Sequence, residues 1–115
     1  MAGSDRELVM YSRTSPCPFV SLARRVLTAE AVPYRELYID QDKTYENRVL
    51  EWTGYLSVPT LIVADLGQDL PYEAPVPLAK DTSPRGVNRG PMMTEPSEEQ
   101  LKQWLQQNGL LDVRG

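Results

Sequence analysis

The feature that most constrains this chain is an alternation. Short apolar runs take turns with amphipathic stripes, and the connections between them are a few residues long. Leu8-Val9-Met10-Tyr11 is a continuous apolar run between polar residues, the pattern of a buried strand. Ser12 to Pro16 is small, polar and closed by proline, hence a turn. From Cys17 the period changes: Phe19, Ala23, Val26 and Leu27 fall at i, i+4, i+7 and i+8, one face of a helix. Pro18 fits the first helical turn, where its missing N–H costs nothing, and Pro33 ends the helix near Ala31 by pushing the residue before it toward an extended conformation. Tyr34 to Ile39 reads as a second strand. Asp40-Gln41-Asp42 can cap a second helix with the stripe Tyr45, Val49, Trp52 and Leu56 and a stop at Gly54. Leu61-Ile62-Val63 is a third strand. Strands separated by helices require crossovers, and crossovers imply parallel pairing in at least part of the sheet.

The alternation stops at Asp65. From there to about Gly90 the chain holds Pro71, Pro75, Pro77 and Pro84 with Gly67 and Gly86, and no sustained period. Unstructured stretches longer than about 15 residues are uncommon in compact domains and are either functional or mobile. The first expectation is a solvated, proline-stiffened insertion; the second is an arm that grips a partner or a second copy of the chain. Pro91 to Thr94 fits a short edge strand, and Ser97 followed by Gln100 has capping-box spacing. Leu101, Trp104, Leu105 and Leu111 then mark a last amphipathic helix, with Gly109 near its stop. No repeat or second domain is visible, so one domain is expected over residues 1–115.

Composition narrows the chemistry. Twelve Lys and Arg against 16 Asp and Glu give a net charge of −4, with no basic stripe for nucleic acid. No apolar run reaches the roughly 18 residues of a membrane span, and the polar start lacks a secretory signal, so a cytoplasmic protein is expected. The chain has no histidine and one cysteine. That removes Ser–His–Asp and Cys–His nucleophiles, histidine-ligated metals and internal disulfides. No metal site is expected, and Cys17 is left as the candidate nucleophile.

Cys17 follows a strand and a turn and opens a helix. Free N–H groups and the positive end of the helix dipole favour thiolate over thiol at such a position, and Arg13 in the same turn can add positive charge. A dithiol redox helix reads Cys-x-x-Cys, but the fourth position here is Val20. A mixed disulfide on Cys17 therefore needs a second thiol from outside the chain, and glutathione is the abundant candidate.

Tyr11-Ser12-Arg13, Cys17-Pro18-Phe19, Pro33-Tyr34, Ile39-Asp40, Thr53-Gly54 and Ser57-Val58-Pro59-Thr60 together resemble the glutaredoxin family. The resemblance covers about residues 7–64 and resumes at the last helix. It implies a thioredoxin-like α/β fold, β-α-β-α-β-β-α, with a mixed four-stranded sheet flanked by helices and the proline-rich insertion before the last strand. It implies Cys17 as nucleophile, Pro59 as a cis-proline, and Val58 as the backbone that meets the cysteinyl part of glutathione. Pro18 and Phe19 would complete the binding turn, and Arg13 would face a glutathione carboxylate. Thr94-Glu95-Pro96-Ser97 is similar to the Glu-Ser of glutathione transferase N-terminal domains, where the pair holds the γ-glutamyl group; Glu95 would take the amine and Ser97 the carboxylate. Ser97 as a plain helix cap and Glu95 as a partner of the helix dipole are the competing assignments. A complete transferase also needs a helical second domain, which is not expected in a chain of this length.

Val20 departs from the dithiol class, and Cys17-Pro18-Phe19-Val20 departs from the Cys-Gly-Phe-Ser of cluster-binding relatives. The expectation is thus a monothiol disulfide oxidoreductase with no tightly bound cofactor, glutathione or a similar thiol as co-substrate, and a small thiol or glutathionylated protein as partner. Neither nucleic acid nor membrane is an expected partner. A non-catalytic binding or dimerisation module, with a homodimer formed through the 65–90 arm, is the first alternative; an iron–sulfur carrier is the second.

Overall fold

The computed structural model describes residues 6–79 and 81–111. The expectations about the extreme N-terminus and the domain limits at 1 and 115 lie partly outside these residues. The elements run β1 (Arg6–Ser12), α1 (Pro18–Ala29), β2 (Tyr34–Tyr38), α2 (Lys43–Thr53), β3 (Thr60–Asp65), β4 (Met92–Thr94) and α3 (Glu98–Gln107). The strands lie in the order β2-β1-β3-β4. The α1 crossover makes β1 and β2 parallel, whereas β3 is antiparallel to both β1 and β4. Met10, for example, lies between Glu36 and Leu61.

Position in the sheet explains the strand compositions. β1 and β3 are central, and Leu8 to Tyr11 and Leu61 to Ala64 are all buried. A strand covered on both faces needs no polar alternation. β2 is an edge strand of half-buried residues, and its polar Arg35 and Glu36 are paired with neighbours. α1 buries Val20, Ala23, Val26 and Leu27, α3 buries Leu101, Trp104 and Leu105, and all join one core with the sheet. α2 packs through Tyr45 and Trp52, whose rings meet Tyr11 edge-on at 5.9 and 5.1 Å.

Three details differ from the sequence expectation. The buried face of α1 begins at Val20, while Phe19 is half-buried. α2 ends where Gly54 adopts the left-handed conformation (φ 81°), so Leu56 leaves the stripe and stands 51% exposed. Leu111 lies beyond the end of α3, packed on the core but outside the helix.

Among the described residues between 66 and 91 there is no helix or named strand. The segment is nevertheless fastened to the scaffold. The Tyr11 hydroxyl donates to the Asp69 carbonyl, and the Arg35 guanidinium bonds the Asp69 carboxylate (2.9 Å) and the Gln68 carbonyl (2.7 Å). The Tyr72 amide donates to the Val63 carbonyl at 2.9 Å, and the Arg6 guanidinium covers the Tyr72 ring at 3.6 Å. Arg89 is only 5% exposed and donates to Trp52 O near the end of α2 (2.6 Å) and to Val76 O (2.8 Å). Burial lowers its pKa from the ordinary guanidinium value, and the carbonyl-rich end of the helix is where a cation is best tolerated. The Trp104 indole N–H closes the segment by donating to Gly90 O at 2.8 Å. Residues 86–89 then return along the outer edge of β4, with Gly86 N on Thr94 O (2.7 Å) and Arg89 N on Met92 O (3.0 Å).

Candidate functional site

The turn between β1 and α1 is held from outside. The Asp40 carboxylate accepts hydrogen bonds from the Thr14 amide (3.0 Å), the Thr14 hydroxyl (2.7 Å) and the Ser15 amide (3.4 Å). These bonds, with that from the hydroxyl the strongest, hold the Asp40 carboxyl below the usual aspartate value. Arg13 curls back on the same turn, its Nη2 donating to Pro16 O at 2.9 Å. The turn delivers Cys17 in extended conformation (φ −152°) as the N-cap of α1, with exposed Pro18 in the first turn. The first α-helical bond is Ser21 N to Cys17 O, so the Phe19 and Val20 amides have no acceptor within the helix. Cys17 is 9% exposed, and its Sγ lies 3.9 Å from the Val58 carbonyl oxygen.

The opposite wall is the approach to β3. Gly54 turns the chain out of α2, and the Thr60 hydroxyl donates to Ser57 O at 2.9 Å, bracing the bend. Val58 and Pro59 are buried, and the bond between them is cis. The Pro59 carbonyl accepts the Glu95 amide at 2.8 Å, which ties this wall to the end of β4. The Glu95 carboxylate accepts from Arg85 Nε at 2.7 Å, and the Arg85 guanidinium sits 4.8 Å from the centre of the Phe19 ring. A cleft of about 240 Å3 opens here, lined by Tyr55, Ser57, Ser83, Pro84, Arg85 and Glu95.

Cys17, Phe19, Val58, Pro59 and Glu95 are thereby linked through successive contacts. Arg13 spends one end of its guanidinium on its own turn. Ser97 is the N-cap of α3: its Oγ accepts the Gln100 amide at 3.2 Å, while the Gln100 side chain accepts the Ser97 amide at 2.8 Å. Two contributors escaped the sequence reading. Asp40 clasps the β1–α1 turn, while Asp42 alone caps α2 by accepting the Thr44 amide at 2.8 Å. Arg85 comes from the aperiodic segment, with no motif or spacing to connect it to Cys17. Among the described residues, no group of three or more His, Cys, Asp or Glu side chains could hold a metal ion. None of their helices is long and apolar enough to cross a membrane.

A β2-β1-β3-β4 mixed sheet flanked by helices, with a thiol opening the first helix, defines a thioredoxin-like protein. Residues 8–66, just over half of the chain, match the model of the glutaredoxin family. The chain belongs to the glutaredoxin family. Among solved structures it is similar to a buckwheat glutaredoxin–glutathione complex, at 24% identity and a TM-score of 0.42. That similarity covers 51% of this chain and 56% of the other, so the match spans little more than half of the solved protein. Comparison with curated proteins yields no match.

Proposed function

We propose that this protein is a glutaredoxin-like thiol–disulfide oxidoreductase working by a monothiol cycle as a single cytoplasmic domain. The observation that carries this reading is the placement of the chain's one cysteine as N-cap of α1, with its Sγ 3.9 Å from the Val58 carbonyl. The Cys17 thiolate attacks the glutathionyl sulfur of a mixed disulfide. A Cys17–glutathione disulfide forms, and the substrate leaves as a thiolate that takes a proton from solvent. A second glutathione, having lost its thiol proton, attacks that disulfide, releases glutathione disulfide and returns Cys17 as thiolate. Val20 stands where a resolving cysteine would be, so the second thiol comes from outside. Cys17 stands at the positive end of α1, where the helix dipole favours the charge that moves on and off the sulfur. Val58 and Pro59 supply the backbone against which the glutathione cysteinyl group lies. Phe19 and Pro18 form the floor of the turn, and Glu95 offers an acceptor for the glutathione amine. Arg13 and Ser97 serve mainly the architecture, through the turn and the helix cap.

The test is turnover of a small glutathione mixed disulfide in the presence of glutathione. Cys17→Ser should reduce the rate to that of buffer. A variant as fast as the wild type would overturn the assignment.

A further inference from the structure

Resting on the thiol-exchange reading, we infer that Arg85 is a specificity-determining residue that selects small thiols bearing a carboxylate. Its place is built rather than incidental. Gly86, with φ +71°, brings the backbone against the start of α3; a Cβ there would meet the Gln100 amide group at 2.8 Å. The Gly86 amide is fixed on Thr94 O at 2.7 Å. Residue 85 is thereby set in the wall of the cleft, within reach of the Phe19 ring in the first turn of α1.

The side chain is then anchored at one end and open at the other. Nε bonds the Glu95 carboxylate at 2.7 Å, and the guanidinium carbon lies 4.8 Å from the centre of the Phe19 ring, two residues from Cys17. The two terminal nitrogens have no partner among the described residues, and the side chain is 62% exposed. A guanidinium held through Nε presents those nitrogens as a flat fork, the geometry that takes a carboxylate through two parallel hydrogen bonds. The Ser57 and Ser83 side chains line the same 240 Å3 cleft. Arg13, the other arginine near the thiol, has its Nη2 occupied by Pro16 O. Arg13 also keeps a partnerless Nε, but that atom is buried, whereas the Arg85 side chain is exposed and arrives on the segment that the family match at residues 8–66 does not include.

Two measurements test the assignment. In the first, S-methylglutathione is titrated into Cys17→Ser protein by calorimetry, with and without Arg85→Ala. Its Kd should rise about 5- to 10-fold on loss of an exposed charge-assisted contact, and Arg85→Lys should recover part of the affinity. An unchanged Kd, or no binding to the Cys17→Ser protein at all, overturns it. In the second, mixed disulfides that deliver either glutathione or uncharged 2-mercaptoethanol to Cys17 are compared as substrates of otherwise wild-type protein. Arg85→Ala should lower kcat/KM for the glutathione disulfide by the same factor and leave that for the 2-mercaptoethanol disulfide unchanged. Equal losses, or none, overturn the assignment. Wild-type turnover by Cys17→Ser would overturn the exchange cycle instead, and the titration would still decide Arg85.

Discussion

Residues 6–65 and residues 66–91 are held by different forces. The first stretch forms three strands and two helices around buried Leu8, Val9, Met10, Leu61 and Ile62, with a ladder of paired backbone between β1 and its neighbours. The second contributes isolated bridges and relies on long polar side chains: Arg35 on Asp69 and Gln68, Arg89 on Trp52 and Val76, and the Trp104 indole on Gly90. Apolar burial is non-directional and scales with area, so the first stretch tolerates local change in its polar groups. Hydrogen bonds from a few buried donors are directional, and leaving one partner unsatisfied costs the desolvation of that group. The segment that carries Arg85 is therefore positioned by fewer and more specific contacts than the strand–turn–helix that carries Cys17.

The largest effect should come from the scaffold. Leu61→Ala removes a fully buried side chain from a central strand, and the transition measured by denaturant should lose about 3 kcal/mol, within the 2–5 usual for such truncations. A loss below about 1 kcal/mol would break the contrast. Next comes Arg89→Met, which keeps much of the volume but strips the donors from Trp52 O and Val76 O. It should cost about 1–2 kcal/mol, the scale of hydrogen bonds lost from a buried charged donor. It should also make residues 66–90 the first site of limited proteolysis. Unchanged stability and protease resistance would show that the segment is held some other way.

The smallest and most local effect concerns Asp40. Its carboxyl titrates below its unfolded value. Its hold on the turn is therefore full above the ordinary aspartate range and is lost as pH falls through the lowered value. Protection of the Thr14 and Ser15 amides against hydrogen exchange, corrected for intrinsic rates, should fall in that acid window. Asp40→Ala, which removes the acceptor altogether, should show the unprotected pattern already at pH 7. Equal protection of the two proteins at pH 7 would mean that the turn holds itself.

The sequence made the first stretch legible because its signals are local. Leu61-Ile62-Val63 announces a strand covered on both faces, and Pro18 with a following period announces a helix start. Capping is local too: Ser97 and Gln100 form the box that their spacing suggests. Local signals also set the errors. Leu56 continues the α2 stripe on paper, yet Gly54 has already turned the chain, and the side chain faces solvent. Phe19 has the right period for the core, yet α1 is rotated so that Val20 takes that place and Phe19 is left beneath Arg85. At the site, Cys17 and Pro59 were visible because each stands at the boundary of a periodic element. Arg85, Arg89 and the Asp40 clasp were not, since each acts across 10 to 37 residues of sequence separation and none repeats a pattern.

The return of residues 86–89 along β4 has a consequence for the molecule in company. β4 is three residues long and lies at the border of the sheet, where bare carbonyls and amides would serve as a template for strand addition. Its outward carbonyls, Met92 O and Thr94 O, are already taken by Arg89 N and Gly86 N. A neighbouring polypeptide would have to peel this strip away before it could zip onto that border. The same strip that sets Arg85 over the Phe19 ring thus also works as a hem, guarding a crowded solution of the protein against edge-to-edge polymerisation.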